Sequence, residues 1–134
     1  MNINMDELYR SAQQAALNAY APYSHFRVGA ALLAKDGTII TGCNVENRSF
    51  GLTICAERNA VVGAVNQGYR SFIALAIATP DSVDPVGPCG ACRQVLSEFM
   101  ESSALVRFAG SGSQVVDTTI GILYPFDSLH ELAT

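Results

Sequence analysis

Charge is what this sequence has least of. Asp, Glu, Lys and Arg make up 15% of its 134 residues, and the eight basic ones are scattered singly in a net charge of −4. Nothing here forms the basic stripe that would neutralise a run of phosphates, which argues against a nucleic-acid polymer as partner. Long hydrophobic runs are missing too: stretches such as Val28 to Ala34 fall far short of the ~18 residues a membrane span needs, so no membrane partner is expected. Met1 to Arg10 is polar and partly acidic, unlike a secretory leader, and the expected location is the cytoplasm. Internal repeats and low-complexity segments are absent. What remains is 49% hydrophobic, enough for one domain over residues 1–134 to bury roughly two thirds of its unfolded surface. Cysteine is scarce, with four in all; they could form two disulfides, but a chain with this much core and no leader does not need them.

The pattern of apolar residues gives a coarse map. Asn4 followed by Glu7 reads as a capping box, and Leu8, Ala12, Ala15, Ala16 and Ala19 at helical spacing predict a helix from Met5 to Tyr20, stopped by Pro22. Arg27 to Ala34 and Thr38 to Cys43 read as a hairpin turning at Asp36-Gly37. Cys55 to Asn66 is apolar on nearly every side, which predicts a helix buried within the molecule or an oligomer. Ser71 to Thr79 suits a central strand, and the loop after it carries Pro80, Pro85 and Pro88. A third helix is expected from Gly90 to Glu101, with Val95, Leu96, Phe99 and Met100 on one face and Arg93, Glu98 and Glu101 outward. Leu105 to Phe108 and Val115 to Thr119 read as strands. The order α-β-β-α-β-α-β-β predicts an α/β fold with a mixed central sheet between helices.

Two short segments carry the chemistry, Cys55-Ala56-Glu57 and Pro88-Cys89-Gly90-Ala91-Cys92. Cys89 and Cys92 lie one helical turn apart and can face a single ion; with Cys55 they supply three thiolates, which leave the fourth corner of a tetrahedral zinc open for water. Zinc lowers the pKa of that water, and a Glu that is not a ligand can move its proton. C-x-x-C at a helix start also suits a redox pair, although such a pair requires neither a third cysteine nor a Glu. Cys43 reads as a buried apolar residue, and as a fourth ligand it would close the site into a structural one. Zinc with three thiolates carries a formal negative charge, which two helix N-termini would offset, with Arg58 a further candidate. Arg58 could equally be a surface arginine, and Glu57 a first-turn Glu favoured by the helix dipole. Glu57 also sits about 200° around an ideal helix from Cys55, so spacing alone does not bring both to one ion. Asn44 and Glu46, two apart, would point the same way from an extended segment, a geometry suited to ribose hydroxyls.

These blocks, together with Tyr20-Ala21-Pro22-Tyr23-Ser24, Val28-Gly29-Ala30-Ala31-Leu32, Gly42-Cys43-Asn44-Val45-Glu46-Asn47 and the Arg93-Gln94 that follows Cys92, resemble the small three-cysteine cytidine deaminases from Tyr20 to about Phe99. The resemblance implies a three-layer α-β-α sandwich, one zinc ion per subunit on Cys55, Cys89 and Cys92, and Glu57 as acid-base residue. It implies hydrolytic deamination of free cytidine or deoxycytidine in pyrimidine salvage, by a homotetramer. It gives Arg58 the role of donor to the thiolates, and the Ala56 N–H that of holding the pyrimidine O2. Asn44, Val45 and Glu46 would hold the sugar, and Phe26 would pack on the nucleoside, though a core aromatic fits Phe26 as well. His25 and His130 read as solvated. Two departures stand out. Phe50 replaces a tyrosine common in the family, and the C-terminal Gly121-Ile122-Leu123-Tyr124-Pro125-Phe126 is shorter than the family's and contains a helix-weakening glycine. A modified cytosine nucleoside or a blasticidin-like compound is therefore an alternative substrate, and a noncatalytic zinc-stapled interaction module is the alternative of another class.

Overall fold

A computed structural model describes residues 2–129 and 132, so His130 lies outside the described residues. The first helix, α1, spans Met5–Ala16, capped by Asn4, whose side chain accepts the Glu7 N–H at 3.0 Å. It stops a turn earlier than its alanine spacing predicts. Tyr20 is drawn instead into strand-like pairing, donating its N–H to Asn44 O at 3.0 Å and accepting from the Glu46 N–H at 2.8 Å. Strands β1 (Gly29–Ala34) and β2 (Ile39–Cys43) form the expected antiparallel hairpin, with Gly37 at φ +91° supplying the left-handed turn residue. β1 begins two residues late because the Val28 N–H is taken by the Asn44 side chain at 2.8 Å.

A single 3-10 turn at Phe50–Leu52 precedes α2 (Ala56–Asn66), and β3 (Phe72–Ala78) follows. Helix α3 (Gly90–Phe99) ends where Met100 turns extended, at φ −136° and ψ 139°. Strand β4 then runs Met100–Ala109, far longer than the predicted Leu105 to Phe108, with a register break against β3 that absorbs its exposed polar start. β5 (Val115–Thr119) and a four-residue helix α4 (Ile120–Leu123) complete the elements.

The sheet order is β2-β1-β3-β4-β5, with β3 and β4 parallel and the other pairs antiparallel. Alternation along the strands divides the core. Ala31, Ala74, Ala76 and Ala78 pack with Leu8 and Ala12 of α1 on one face, while Ala30, Leu32, Leu75 and Ile77 pack with Ala60, Val61 and Leu96 on the other. The result is the three-layer α-β-α sandwich with a mixed sheet. Its layers touch closely at Gly42, where an added Cβ would lie 2.5 Å from the Ala60 N and 2.6 Å from the Ala56 O. That contact holds the first turn of α2 against β2.

Candidate active site

Two helix starts meet at one end of the sheet, and each is capped by a cysteine. Cys55 precedes α2 in extended backbone, at φ −69° and ψ 155°, and Cys89 precedes α3 in the same way, at φ −67° and ψ 164°. The extended cap resolves the spacing difficulty of Glu57: the ideal helix angle does not apply across a residue outside the helix, and Glu57 in the first turn lines the same cavity as Cys55. Cys92, one turn into α3, points its N–H at the Cys89 Sγ at 3.4 Å. The Sγ atoms of Cys55, Cys89 and Cys92 all lie within 4.8 Å of one another, with Cys55 and Cys89 3.9 Å apart. Cys43 stands outside this group, half-buried at the end of β2, and burial pushes its thiol up.

Three sulfurs this close cannot all be thiolates unless a cation shares their charge. A hydrogen bond from Cys92, helped by Arg58, holds Cys55 down to about 5, and the same bond together with burial pushes Cys92 up. The Arg58 Nη2 donates to the Cys55 Sγ at 3.2 Å, so Arg58 turns inward to the cluster. Three soft sulfur donors, two helix N-termini and a guanidinium make a set suited to zinc with one coordination position left over.

Glu57 is 4% exposed, and burial pushes its carboxyl above the usual carboxylate range. It opens onto a cavity of about 190 Å³ beside the cysteines, lined also by Val28, Asn44, Thr53, Ala56, Ile77, Thr79, Val86 and Gly87. The Ala56 N–H is among the first of α2, which the helix itself leaves without an acceptor. Asn44 and Glu46 are buried with Val45 exposed between them, the alternation expected of an extended segment. Their side chains nevertheless serve different neighbours. Asn44 faces the cavity and bridges the Phe26 carbonyl and the Val28 N–H, both at 2.8 Å. Glu46 accepts from the backbone of Tyr23 and Ser24 at 3.0 and 3.2 Å and from the Ser24 hydroxyl. It lines an adjoining, more open hollow with Tyr23, Ser24, Phe50 and Thr53. The two hollows share Thr53. Phe26 is half-buried, and its carbonyl accepts from the Asn44 side chain, but its ring lines neither hollow. Val45 contributes backbone, exchanging two 3.0 Å bonds with Ile54 that bring the Asn44–Glu46 segment beside the residues leading into Cys55.

Three features escape the sequence pattern. Arg93, expected to face outward, turns inward: its Nε donates to Pro88 O at 2.7 Å and its Nη1 to Leu123 O at 3.1 Å, joining the loop before Cys89 to α4. Gln94 receives the Tyr124 hydroxyl beside it. Arg27 and Asp81 form a two-pronged ion pair, at 3.0 and 2.8 Å, between the two loops that flank the cavity. Thr79 lines the cavity floor. Alternation continued past Ile77 could have flagged it. Of the two departures, Phe50 is 72% exposed and stacks at a tilt on Tyr23, while Phe126 is 99% exposed after α4. His25 is exposed, as read from the sequence, in left-handed backbone at φ 57°.

Comparison with known proteins agrees with this geometry. The family described as the cytidine and deoxycytidylate deaminase zinc-binding region matches residues 3–107. A cytidine deaminase of Sporosarcina psychrophila is 47% identical over 92% of this chain and 90% of its own. The crystal structure of cytidine deaminase from Burkholderia pseudomallei superposes with a TM-score of 0.88 at 43% identity, covering 92% of this chain and 98% of that one. A blasticidin-S deaminase of Bacillus cereus is more distant, 33% identical over 89% of this chain and 88% of its own.

Proposed function

Because this chain belongs to the cytidine and deoxycytidylate deaminase zinc-binding family, we propose that it deaminates free cytidine and deoxycytidine hydrolytically, giving the uracil nucleoside and ammonia. The observation that carries this reading is the cavity that Glu57 shares with Cys55 and Cys89, at the meeting of two helix starts. Cys55, Cys89 and Cys92 would hold the zinc, which when bound would lower the pKa of water enough to provide a nucleophile near neutral pH. Glu57 moves the protons: one goes to the pyrimidine N3 as the nucleophile adds at C4, and a second goes to the exocyclic amine, which leaves as ammonia. A carboxyl whose pKa is raised by burial suits a group that must hold and release protons in turn. The Ala56 N–H orients the ring through O2, aided by the positive end of α2. Arg58 offsets thiolate charge from behind Cys55.

Asn44 and Glu46 bind the ribose with the Val45 backbone between them, and Phe26 closes over the nucleoside. In the free chain both polar side chains already order the loop from Tyr23 to Val28, so a sugar meets groups held in place. The 134 residues act as one domain with one such site, and four copies assemble. Phe50, Leu52, Val62 and Ile122, between 59% and 72% exposed, are the apolar surface that assembly would cover. Thiolate ligands need a reducing compartment, which supports the cytoplasm as the location and pyrimidine salvage as the role. Among the described residues no helix is long and apolar enough to cross a membrane.

A modified cytosine nucleoside is the second reading, favoured by the exposed Phe126 at the end of a short α4. Ammonia release from cytidine, deoxycytidine, N4-substituted cytidines and blasticidin S tests both. Turnover of the first two supports the main reading, turnover confined to the others supports the second, and zinc binding without any turnover would make the chain a noncatalytic module.

A further inference from the structure

One residue that lines the cavity carries a buried hydroxyl without a partner among the described residues. Thr79 is 1% exposed, and its Oγ1 has no hydrogen-bond partner among the described residues. Its backbone is fully used: the N–H donates to Ala109 O at 3.2 Å and the carbonyl accepts from the Ser82 N–H at 3.1 Å, so the chain at this point is fixed. Nothing in the local packing asks for a hydroxyl. Leu75 and Ile77, the preceding residues of the same parity on β3, are apolar and belong to the core beneath α2 and α3. A valine would continue that row without leaving a donor and acceptor unsatisfied, and an unsatisfied buried hydroxyl costs stability.

Its position says what could satisfy it. Thr79 stands just past the carboxyl end of β3, beside the one parallel pair of the sheet, where open α/β sheets bind their ligands. It lines the same cavity as Glu57 and Ala56, the groups assigned to the reacting ring; Val28, Ile77 and Val86 are apolar there, and the hydroxyl of the half-buried Thr53 already accepts from the Asn47 N–H at 3.4 Å. Asn44, the other neutral polar side chain buried there, is committed to Phe26 and Val28. We propose that Thr79 is a substrate-contacting residue whose hydroxyl hydrogen-bonds a polar atom on the edge of the bound pyrimidine. The inference rests on the cytidine reading of this cavity and adds to it a side-chain contact that selects for ring polarity.

The contact has an unusual signature, since the hydroxyl is unsatisfied without ligand and satisfied with it. Thr79→Val should lower kcat/KM for cytidine by about 5- to 10-fold, the worth of one neutral hydrogen bond, while the thermal midpoint of the free protein stays equal or rises. Thr79→Ser, which keeps the hydroxyl, should remain within about twofold of the wild type in kcat/KM. The zinc-loaded full chain is used throughout. A Thr79→Val protein as active as the wild type would overturn the proposal. So would a Thr79→Ser protein that loses as much activity as Thr79→Val, or a Thr79→Val midpoint that falls along with its activity, because each would mark a packing role. The wild type separates the two layers of the argument: a wild type that does not deaminate cytidine contradicts the reaction and overturns this contact with it, whereas an active wild type beside an equally active Thr79→Val overturns the contact alone.

Discussion

Glu57 and Arg58 are neighbours in the first turn of α2, yet their surroundings give them opposite work. Glu57 is buried against the cavity, where desolvation favours its protonated form, while Arg58 reaches back past Cys55 and keeps its charge beside sulfur. On the proposed reading, Arg58 therefore serves the metal ligands rather than the substrate. Arg58→Gln should lower zinc affinity by about 10- to 100-fold, the usual cost of losing a group that orients and charge-balances ligands, as read by competition with a chromophoric chelator. Unchanged affinity and turnover would make Arg58 a bystander. Residue by residue, the metal site was legible because three cysteines with C-x-x-C spacing have few other uses. Glu57 was less so, since its placement depends on Cys55 being extended, a conformation that no periodicity encodes. Arg93 was misread as outward because helical periodicity distinguishes faces, not the reach of a long side chain to two backbone carbonyls.

The elements hold the site through close contacts and one charged clamp. An alanine at position 42 would drive its Cβ into the backbone of α2 at Ala56 and Ala60, which cannot yield as a side chain tip would. Gly42→Ala should cost about 1–3 kcal/mol in chemical denaturation and, by displacing the turn that carries Glu57, reduce kcat as well. Gly63, in the same helix, has nothing within 4 Å of an added Cβ, and Gly63→Ala should instead stabilise by roughly 0.5–1 kcal/mol with activity kept. The clamp is Arg27 with Asp81, whose carboxyl the guanidinium holds down at about 2. A depressed carboxylate contributes stability above its unfolded pKa of about 3.9 and loses it as pH falls through the folded value, so this contribution should fade between about pH 4 and 2. Asp81→Asn should flatten the acid limb of stability in that window, and an identical limb would show that the pair contributes nothing. Element types and order were readable from periodicity and turn chemistry, but ends decided by distant partners were not. α1 stops at Ala16 because Tyr20 pairs with the Asn44–Glu46 segment, and β4 starts at Met100 because Met100 itself pairs with Phe72 of β3, the polar residues before Leu105 being taken up in the register break.

At the scale of the whole molecule, a three-layer sandwich leaves one apolar problem unsolved. Phe50, Leu52, Val62 and Ile122 remain open to water on a chain whose mean hydropathy is +0.23. Sedimentation equilibrium should give a mass near four times 14.2 kDa, and Phe50→Asp or Val62→Asp should shift the population toward smaller species. A monomer at micromolar concentration would contradict the assembly. The central claim concerns the reaction, and the most direct test follows ultraviolet absorbance as zinc-loaded protein is mixed with cytidine, with Glu57→Ala run beside it. Conversion to uridine by the wild type, with a loss of at least about 10²-fold in a folded, zinc-retaining Glu57→Ala, is the predicted result. A wild type that binds zinc and leaves cytidine unchanged, or a Glu57→Ala protein that turns over as fast as the wild type, would contradict it.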